Sequence, residues 1–448
     1  MSIKRFRERL DLGRDVDDAG LGITEVIVAL MVFTLVILGL AYSLVTMTKL
    51  VADDRNREVA AGLASQEIDE VRAVGDAFKV QAAPNQTQTI GSTTYTISRT
   101  TAWVNTDGSS ATCGGAGGNL QYKRVSVEVT WASMLTLKTA VRSDTILAPA
   151  TRINDPSYGT ILVSVTGADG TGRAGVAVTA TATSGGAAVG SIPSTDSDGC
   201  TYALKVTPGT YKVSANKSGY VDITQSTAPS TSVTVAAGSS QTASFSYDLA
   251  AKYSLAYASN YAGTAKLPDS LTTNFISSDG TLVLTTKTSP LSLYPSTQGY
   301  AAVAGHYVST STITSGCLSV DPATWAAGAV NGVSMADGQR PAVGVAAGGA
   351  GTLPIPMGVI QVSSLTATTI YVRGVAAPAG TGDPGCVELT NYTFSGLTIG
   401  TTAYLAAPFG SWIVSTSLTG AAMSSNVAPA TTGEMTGTTV TLDPRMPS

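Results

Sequence analysis

Charged side chains are scarce in this chain, where Asp, Glu, Lys and Arg make up 12% of 448 residues. The 26 basic residues do not outnumber the 30 acidic ones, and the net charge is −4. Without a basic surplus there is little to attract nucleic acid, so no nucleic-acid partner is expected. The four cysteines include no C-x-x-C pair, so neither a zinc site nor a thioredoxin-like redox motif is predicted, and no cofactor is expected.

Histidine is almost absent as well, and this limits the catalytic chemistry available. His306 is the only one, so any Ser-His-Asp or Cys-His arrangement would have to use it. Its surroundings, YAAVAGHYVSTST, lack the glycine pattern of a nucleophile elbow. Acidic residues are also sparse after residue 250, and we therefore expect a protein that is not an enzyme.

What the chain does contain is one long uncharged stretch near its beginning. Residues 26–48 carry no charge and no proline. About 23 residues at about 1.5 Å each are enough to cross a hydrocarbon core of about 30 Å as a helix. Such a run also leaves every backbone hydrogen bond inside the helix, as lipid requires. We predict a transmembrane helix over residues 21–48.

One acid, Glu25, stands at the head of this run. A carboxylate at the mouth of a membrane segment costs several kcal/mol unless it is paired, which predicts a functional role. Cleavage between Gly20 and Leu21 would supply a partner. The new α-ammonium would lie one helical turn from Glu25, at the i,i+4 spacing.

These residues resemble the opening of bacterial type IV prepilins and pseudopilins. In that family a short polar leader ends in Gly, an apolar residue is processed, and Glu is fifth in the mature chain; Gly20, Leu21 and Glu25 occupy those positions. The resemblance implies cleavage by a prepilin peptidase after Gly20 and N-methylation of Leu21. It further implies assembly with other pilin or pseudopilin subunits at an inner-membrane platform. A pilus and a type II secretion pseudopilus share this motif.

The leader, residues 1–20, indicates which end faces the cytoplasm. Lys4, Arg5, Arg7 and Arg9 crowd its first half, and the positive-inside rule keeps such a cluster cytoplasmic. We therefore expect a single-pass protein of the cell membrane whose body is outside, and which is at the cell surface once assembled. The alternative is an uncleaved, membrane-anchored surface adhesin.

Beyond the membrane, the pattern predicts an α+β fold followed by all-β sandwich domains. Helix formers and helical spacing of apolar residues continue to residue 74, which predicts one long helix over residues 21–74. Alternation then predicts strands at 93–104, 122–132 and 137–147. A helix packed on a small antiparallel sheet, the head over residues 75–152, resembles the globular head of minor pilins.

Residues 157–249 predict a β-sandwich of about seven short strands with Gly and Pro turns. The motifs DSDG, PGTY and GY, at 196–199, 208–211 and 219–220, resemble those of carboxypeptidase-regulatory-like, transthyretin-like domains. The resemblance implies structural residues, with turns followed by a core aromatic. Asp196 and Asp198 leave Ca²⁺ open as a less favoured alternative, because no further obvious acids are supplied.

Residues 250–448 predict one or two further β-sandwich-like domains. Alternation favours strands at 281–288, 357–365, 368–376, 410–418 and 438–444, and residues 336–356 are predicted to be loop. Their position away from the membrane suits a tip or ligand-binding element that serves adhesion.

An exported compartment favours disulfides. Our choice for the C-terminal region is Cys317 with Cys386. Cys113 and Cys200 then either bridge the head and the sandwich or stay free.

Overall fold

A computed structural model describes residues 22–114, 120–132, 134, 139–149, 155–285, 287–307, 317–330, 332–385 and 391–448. The described residues form two compact units. The first contains the chain up to Gly75 together with Ala83–Thr100 and Val125–Thr145. The second contains Asp76–Ala82, Thr101–Arg124 and Ile146–Ser448. The domain boundaries predicted from the sequence stay a prediction.

The first unit is organised around a single helix, α1, which runs without interruption from Ile23 to Val74. It ends at Gly75, whose positive φ of +67° is a conformation that glycine adopts without steric cost. Its buried apolar residues lie at spacings of three and four, the spacing of one helix face. They are Ala60, Leu63, Ala64, Ile68 and Val71.

Five strands follow the helix and form one sheet in the order β1-β2-β4-β5, with β3 paired to β2. They are β1 (Ala83–Ile90), β2 (Thr93–Asn105), β3 (Ser110–Ala111), β4 (Leu120–Trp131) and β5 (Val141–Leu147). Within the first unit, alternate residues of β2 and β4 face α1. Tyr95, Ile97, Val127, Val129 and Trp131 form one buried cluster with the helix. The edge strand β1 is almost entirely exposed.

The second unit begins with a β-sandwich of seven strands. They are β6 (Gly159–Thr166), β7 (Ala177–Gly185), β8 (Cys200–Val206), β9 (Gly209–Asn216), β10 (Tyr220–Asp222), β11 (Ser230–Val235) and β12 (Ser240–Leu249). One sheet has the order β10-β12-β6-β8 and the other β11-β9-β7. Val163 and Phe245 of the first sheet share a buried core with Tyr211 and Val213 of the second, so the sheets pack face to face. Pairing between β12 and β6 is parallel.

The remainder of the second unit is also β-structure, with short 3₁₀ turns at Leu318–Val320 and Pro322–Thr324. Its described strands are β13 (Ala251–Tyr257), β14 (Thr273–Ser277), β15 (Gly280–Leu284), β16 (Leu291–Leu293), β17 (Ser296–Ala304), β18 (Gly328–Val330), β19 (Val333–Met335), β20 (Val343–Val345), β21 (Ala350–Ile355), β22 (Gly358–Val362), β23 (Ile370–Gly374), β24 (Asn391–Phe394), β25 (Ala403–Ala407), β26 (Gly410–Ser415), β27 (Val427–Pro429), β28 (Gly433–Thr436) and β29 (Thr439–Leu442). A single buried cluster reaches from Ala251 to Leu442 and includes Tyr253, Phe275 and Trp412.

One sequence prediction in this region is wrong. Residues 336–356 were expected to be loop because they are rich in Gly, Pro and Ala, yet they contain β20 and β21. Strand β21 pairs in parallel with β13, and β20 pairs with β17. These partners lie far away in sequence, so tertiary pairing overrides a weak local preference. The fold class is α+β, with a long apolar N-terminal helix and β-sandwich structure, as the sequence predicts.

Candidate functional site

The candidate site at the start of the chain is described only in part. Gly20 and Leu21, the predicted processing site, lie outside the described residues. Gly22 is extended, and α1 begins directly after it, with the Glu25 backbone N–H donating to the Gly22 carbonyl at 2.9 Å. Glu25 lies in the first turn, and its side chain is exposed.

The first half of α1 presents apolar side chains to its surroundings on every face. All residues from 22 to 52 are exposed, including Phe33 at 61% and Leu40 at 66%. Soluble monomers rarely expose an apolar surface of this size, so lipid or other helices are needed to cover it. The helix is long and apolar enough to span a membrane.

Three threonines in this half donate their hydroxyls back to carbonyls of the same helix. Thr34 donates its hydroxyl to the Leu30 carbonyl at 2.7 Å, and Thr46 donates to the Tyr42 carbonyl at 2.8 Å. A hydroxyl bonded back to its own helix costs little when water is removed. These hydroxyls therefore add little to the cost of placing the helix in a medium without water.

The second half of α1 is fastened to its own sheet by polar contacts as well as by the apolar cluster. Glu67 forms a part-buried ion pair with Arg99 of β2. Tyr95 donates to Asn56 Oδ1 at 3.1 Å, and burial raises the pKa of this tyrosine. The Arg72 guanidinium donates to Thr145 Oγ1 at 3.1 Å. The helix is thus divided into an exposed apolar half and a half that is fixed within the unit.

In the second unit, Cys113 and Cys200 form a disulfide with an S–S distance of 1.99 Å. Cys317 is also disulfide-bonded. Cys386, the predicted partner of Cys317, lies outside the described residues, so that pairing stays a prediction.

Tyr202, two residues after Cys200 on β8, belongs to an aromatic cluster. Trp103 is fully buried and donates its Nε1–H to the Tyr202 hydroxyl at 2.8 Å. Phe78 packs against both rings, with centroids 4.8 and 4.7 Å away. Lys123, which is 1% exposed, lies over the Trp103 ring with its Nζ 5.6 Å from the centroid. These contacts attach residues 76–82 and 101–124 to the sandwich.

The acids that left Ca²⁺ open in the sequence lie in a turn. Asp196 Oδ1 accepts from the backbone N–H groups of Asp198 (3.0 Å) and Cys200 (2.8 Å), while burial raises the pKa of Asp196. Asp198 Oδ2 accepts from the Ala82 N–H at 3.2 Å and from the Thr101 hydroxyl at 2.9 Å. The carboxylate oxygens of both residues thus accept hydrogen bonds from backbone N–H and hydroxyl groups. Across the described part of the chain, no group of three or more His, Cys, Asp or Glu residues could hold a metal.

His306 is exposed and lies two residues after the end of β17. Its carbonyl accepts from the backbone N–H of Cys317 at 2.9 Å. This contact uses only the backbone of His306.

No protein-family model matches this chain, and no curated protein matches its sequence. The solved structures that are similar over part of their length include the following two. The Bacillus anthracis TIE protein is 11% identical with a TM-score of 0.19, over 78% of this chain and 70% of that protein. A streptococcal ancillary pilin is 8% identical with a TM-score of 0.19, over 58% of this chain and 91% of the pilin. TM-scores this low carry no argument about function.

Proposed function

We propose that this protein is a minor type IV pilin or pseudopilin-like subunit, a structural protein that is not an enzyme. One observation carries the proposal, the division of the unbroken helix α1. Its first half is apolar and exposed with Glu25 in the first turn, and its second half is packed within the first unit. Such a subunit needs a helix that sits in lipid before assembly and among other helices afterwards. The Gly20-Leu21 junction and Glu25 add the motif expected of a prepilin.

In this proposal a prepilin peptidase cuts after Gly20 at the cytoplasmic face of the cell membrane. Leu21 becomes the new N-terminus and is N-methylated. The subunit is then drawn by the inner-membrane assembly platform into a pilus or pseudopilus with other subunits. The exposed half of α1 exchanges lipid for the apolar helices of its neighbours, at little cost because both surroundings are apolar.

Glu25 has a specific part in this transfer. Its carboxylate neutralises the α-ammonium of Leu21, either in its own subunit or in a neighbour. An unpaired carboxylate in an apolar medium costs several kcal/mol. A neighbour that is out of register leaves this cost uncompensated, so the pairing sets the register between subunits.

The β-structure that follows is displayed outside the cell for adhesion or a tip function. The competing proposal, an uncleaved membrane-anchored surface adhesin, would use the same display but leave the leader in place. It would also leave Glu25 without the ammonium of Leu21.

The role of Glu25 is tested by Glu25→Ala, with Glu58→Ala, an exposed acid further along the same helix, as the matched control. Each variant is expressed in the native organism in place of the wild-type protein. We expect normal cleavage of both variants. Loss of the pairing should reduce the Glu25→Ala protein in the sheared fibre fraction at least about tenfold, since a loss of about 1.4 kcal/mol in assembly free energy corresponds to a factor of ten. Glu58→Ala should assemble normally. Normal incorporation of Glu25→Ala would refute the assigned role.

A further inference from the structure

A groove of about 690 Å³ lies in the second unit, among β-strand ends and loops that are distant in sequence. Its walls include five prolines, Pro322, Pro341, Pro354, Pro356 and Pro444, and we call it the proline-walled groove. This volume is in the range of sites that bind small molecules or short oligomers. Proline rings have few rotatable bonds, so the groove is largely preformed, which limits the ordering cost of binding.

The walls of this groove offer flat apolar surfaces. Tyr261 lines it half-buried and is backed by Tyr404, with ring centroids 5.8 Å apart and planes inclined by 34°. Phe409 also lines the groove and is almost fully buried. A sugar ring presents one face made of C–H groups, and a supported aromatic ring such as Tyr261 is a suitable surface for that face.

Polar side chains supply both donors and acceptors beside these surfaces. Asn260 Oδ1 accepts from the Met357 N–H at 2.9 Å, which turns its Nδ2 donor toward other partners. Gln339 Nε2 donates to the Asp337 carbonyl at 3.2 Å, so its Oε1 is the acceptor that it offers. Asp337 is exposed, and one of its carboxylate oxygens accepts from the Ala327 N–H at 2.6 Å. Amide and carboxylate groups next to an apolar face match the hydroxyl edge of a sugar ring.

The charge of the groove decides between neutral and anionic ligands. None of the described residues that line it is Lys, Arg or His, while Asp337 and Asp443 do line it. Of the nearby arginines, Arg340 is paired with Asp321 and Arg445 with Asp443. A phosphate, sulfate or carboxylate on a ligand would therefore meet acids and no available cation in this groove.

We infer that the proline-walled groove binds a neutral oligosaccharide, which stacks on Tyr261 and hydrogen-bonds to Asn260, Gln339 and Asp337. The inference deepens the proposed function and rests on it for the display of this region outside the cell. The two nevertheless fail separately, because binding is measured on the purified full chain whether or not the leader has been removed.

The test measures binding of neutral saccharides to the full-length protein in detergent. The probes are lactose, maltotriose, cellotriose, mannotriose and chitotriose at up to about 10 mM, with sialyllactose as the charged comparison. Saturation-transfer NMR detects binding, and calorimetry gives the affinity. Gln339→Ala removes one hydrogen bond and should weaken binding about three- to tenfold. Ala262→Trp places a large ring at an exposed position on the groove wall and should weaken binding more than about tenfold.

Gln298→Ala is the matched control, because this exposed glutamine lies in the same unit but outside the groove. It should leave binding unchanged. Loss of binding in Gln339→Ala alone supports the inference even if Ala262→Trp does not fold. Three results would overturn it: no neutral saccharide binds, only the charged one binds, or both groove variants bind as the wild type does. Binding of a Pro-x-x-Pro peptide without any saccharide would also overturn it.

Discussion

Removing the Tyr202 hydroxyl tests how firmly the aromatic cluster attaches residues 101–124 to the sandwich. In Tyr202→Phe, the buried Nε1–H of Trp103 loses its 2.8 Å acceptor. Trp103 itself has 0% exposure, so its donor lies away from bulk water. A buried donor left unsatisfied costs about 1–3 kcal/mol, or about 5- to 150-fold in the equilibrium for local opening.

Hydrogen–deuterium exchange with mass spectrometry measures this opening directly. Peptides that cover residues 101–105 and Cys200–Val206 should exchange faster in Tyr202→Phe by that factor. Tyr158→Phe, at a more exposed tyrosine of the same unit, is the matched control and should change exchange little. The variant Trp103→Phe and the double variant complete the cycle, because removing both partners restores part of the lost stability.

The interaction free energy between the two substitutions tests the contribution of the hydrogen bond. We expect an interaction of about 1 kcal/mol between Trp103→Phe and Tyr202→Phe. If the two changes were additive, the hydrogen bond would contribute nothing. The attachment would then come from ring packing, the Thr101–Asp198 hydrogen bond and the Cys113–Cys200 disulfide.

Two further predictions concern the second unit. The Cys113–Cys200 disulfide spans a sequence separation of 87, and loop entropy puts its stabilisation at about 4.6 kcal/mol at most. The double Cys→Ala variant should lower the free energy of unfolding of this unit by about 2–4 kcal/mol, measured by urea denaturation. A change below about 0.5 kcal/mol would contradict this. Hydrogen bonds from the Thr171 backbone and hydroxyl, and then Arg173, lower the pKa of Asp169 to about 2. Since this lies below the unfolded value of about 3.9, the stability from the ionised form is present above about pH 4 and lost as the pH falls toward about 2. Asp169→Asn should remove this part of the pH dependence, and an unchanged profile would contradict the assignment.

The helix and several strands were predictable because their signals are local. The predicted helix over 21–74 corresponds to Ile23–Val74, and the predicted strand at 93–104 corresponds to Thr93–Asn105. Both depend on apolar periodicity that is long enough to be unambiguous. About seven strands were expected in residues 157–249, and seven are found.

What the sequence did not predict depends on distant partners. The polar strand β1 has no apolar alternation, and it exists because β2 offers a complementary edge. Strand β21 contains Pro354, and its parallel pairing with β13 joins residues about a hundred positions apart.

The proline-walled groove was not predictable either. Its residues run from Ser259 to Met446 and come together only in the fold. A single sequence gives no sign of that convergence.

In the proposed function, removal of a leader makes Leu21 the first residue and the partner of Glu25. The most direct test is to recover the protein from its native membrane and identify its N-terminal peptide by mass spectrometry. We expect a chain that starts at Leu21, with or without a methyl group on its nitrogen. A chain that still starts at or next to Met1 would contradict it and indicate a permanently anchored surface protein.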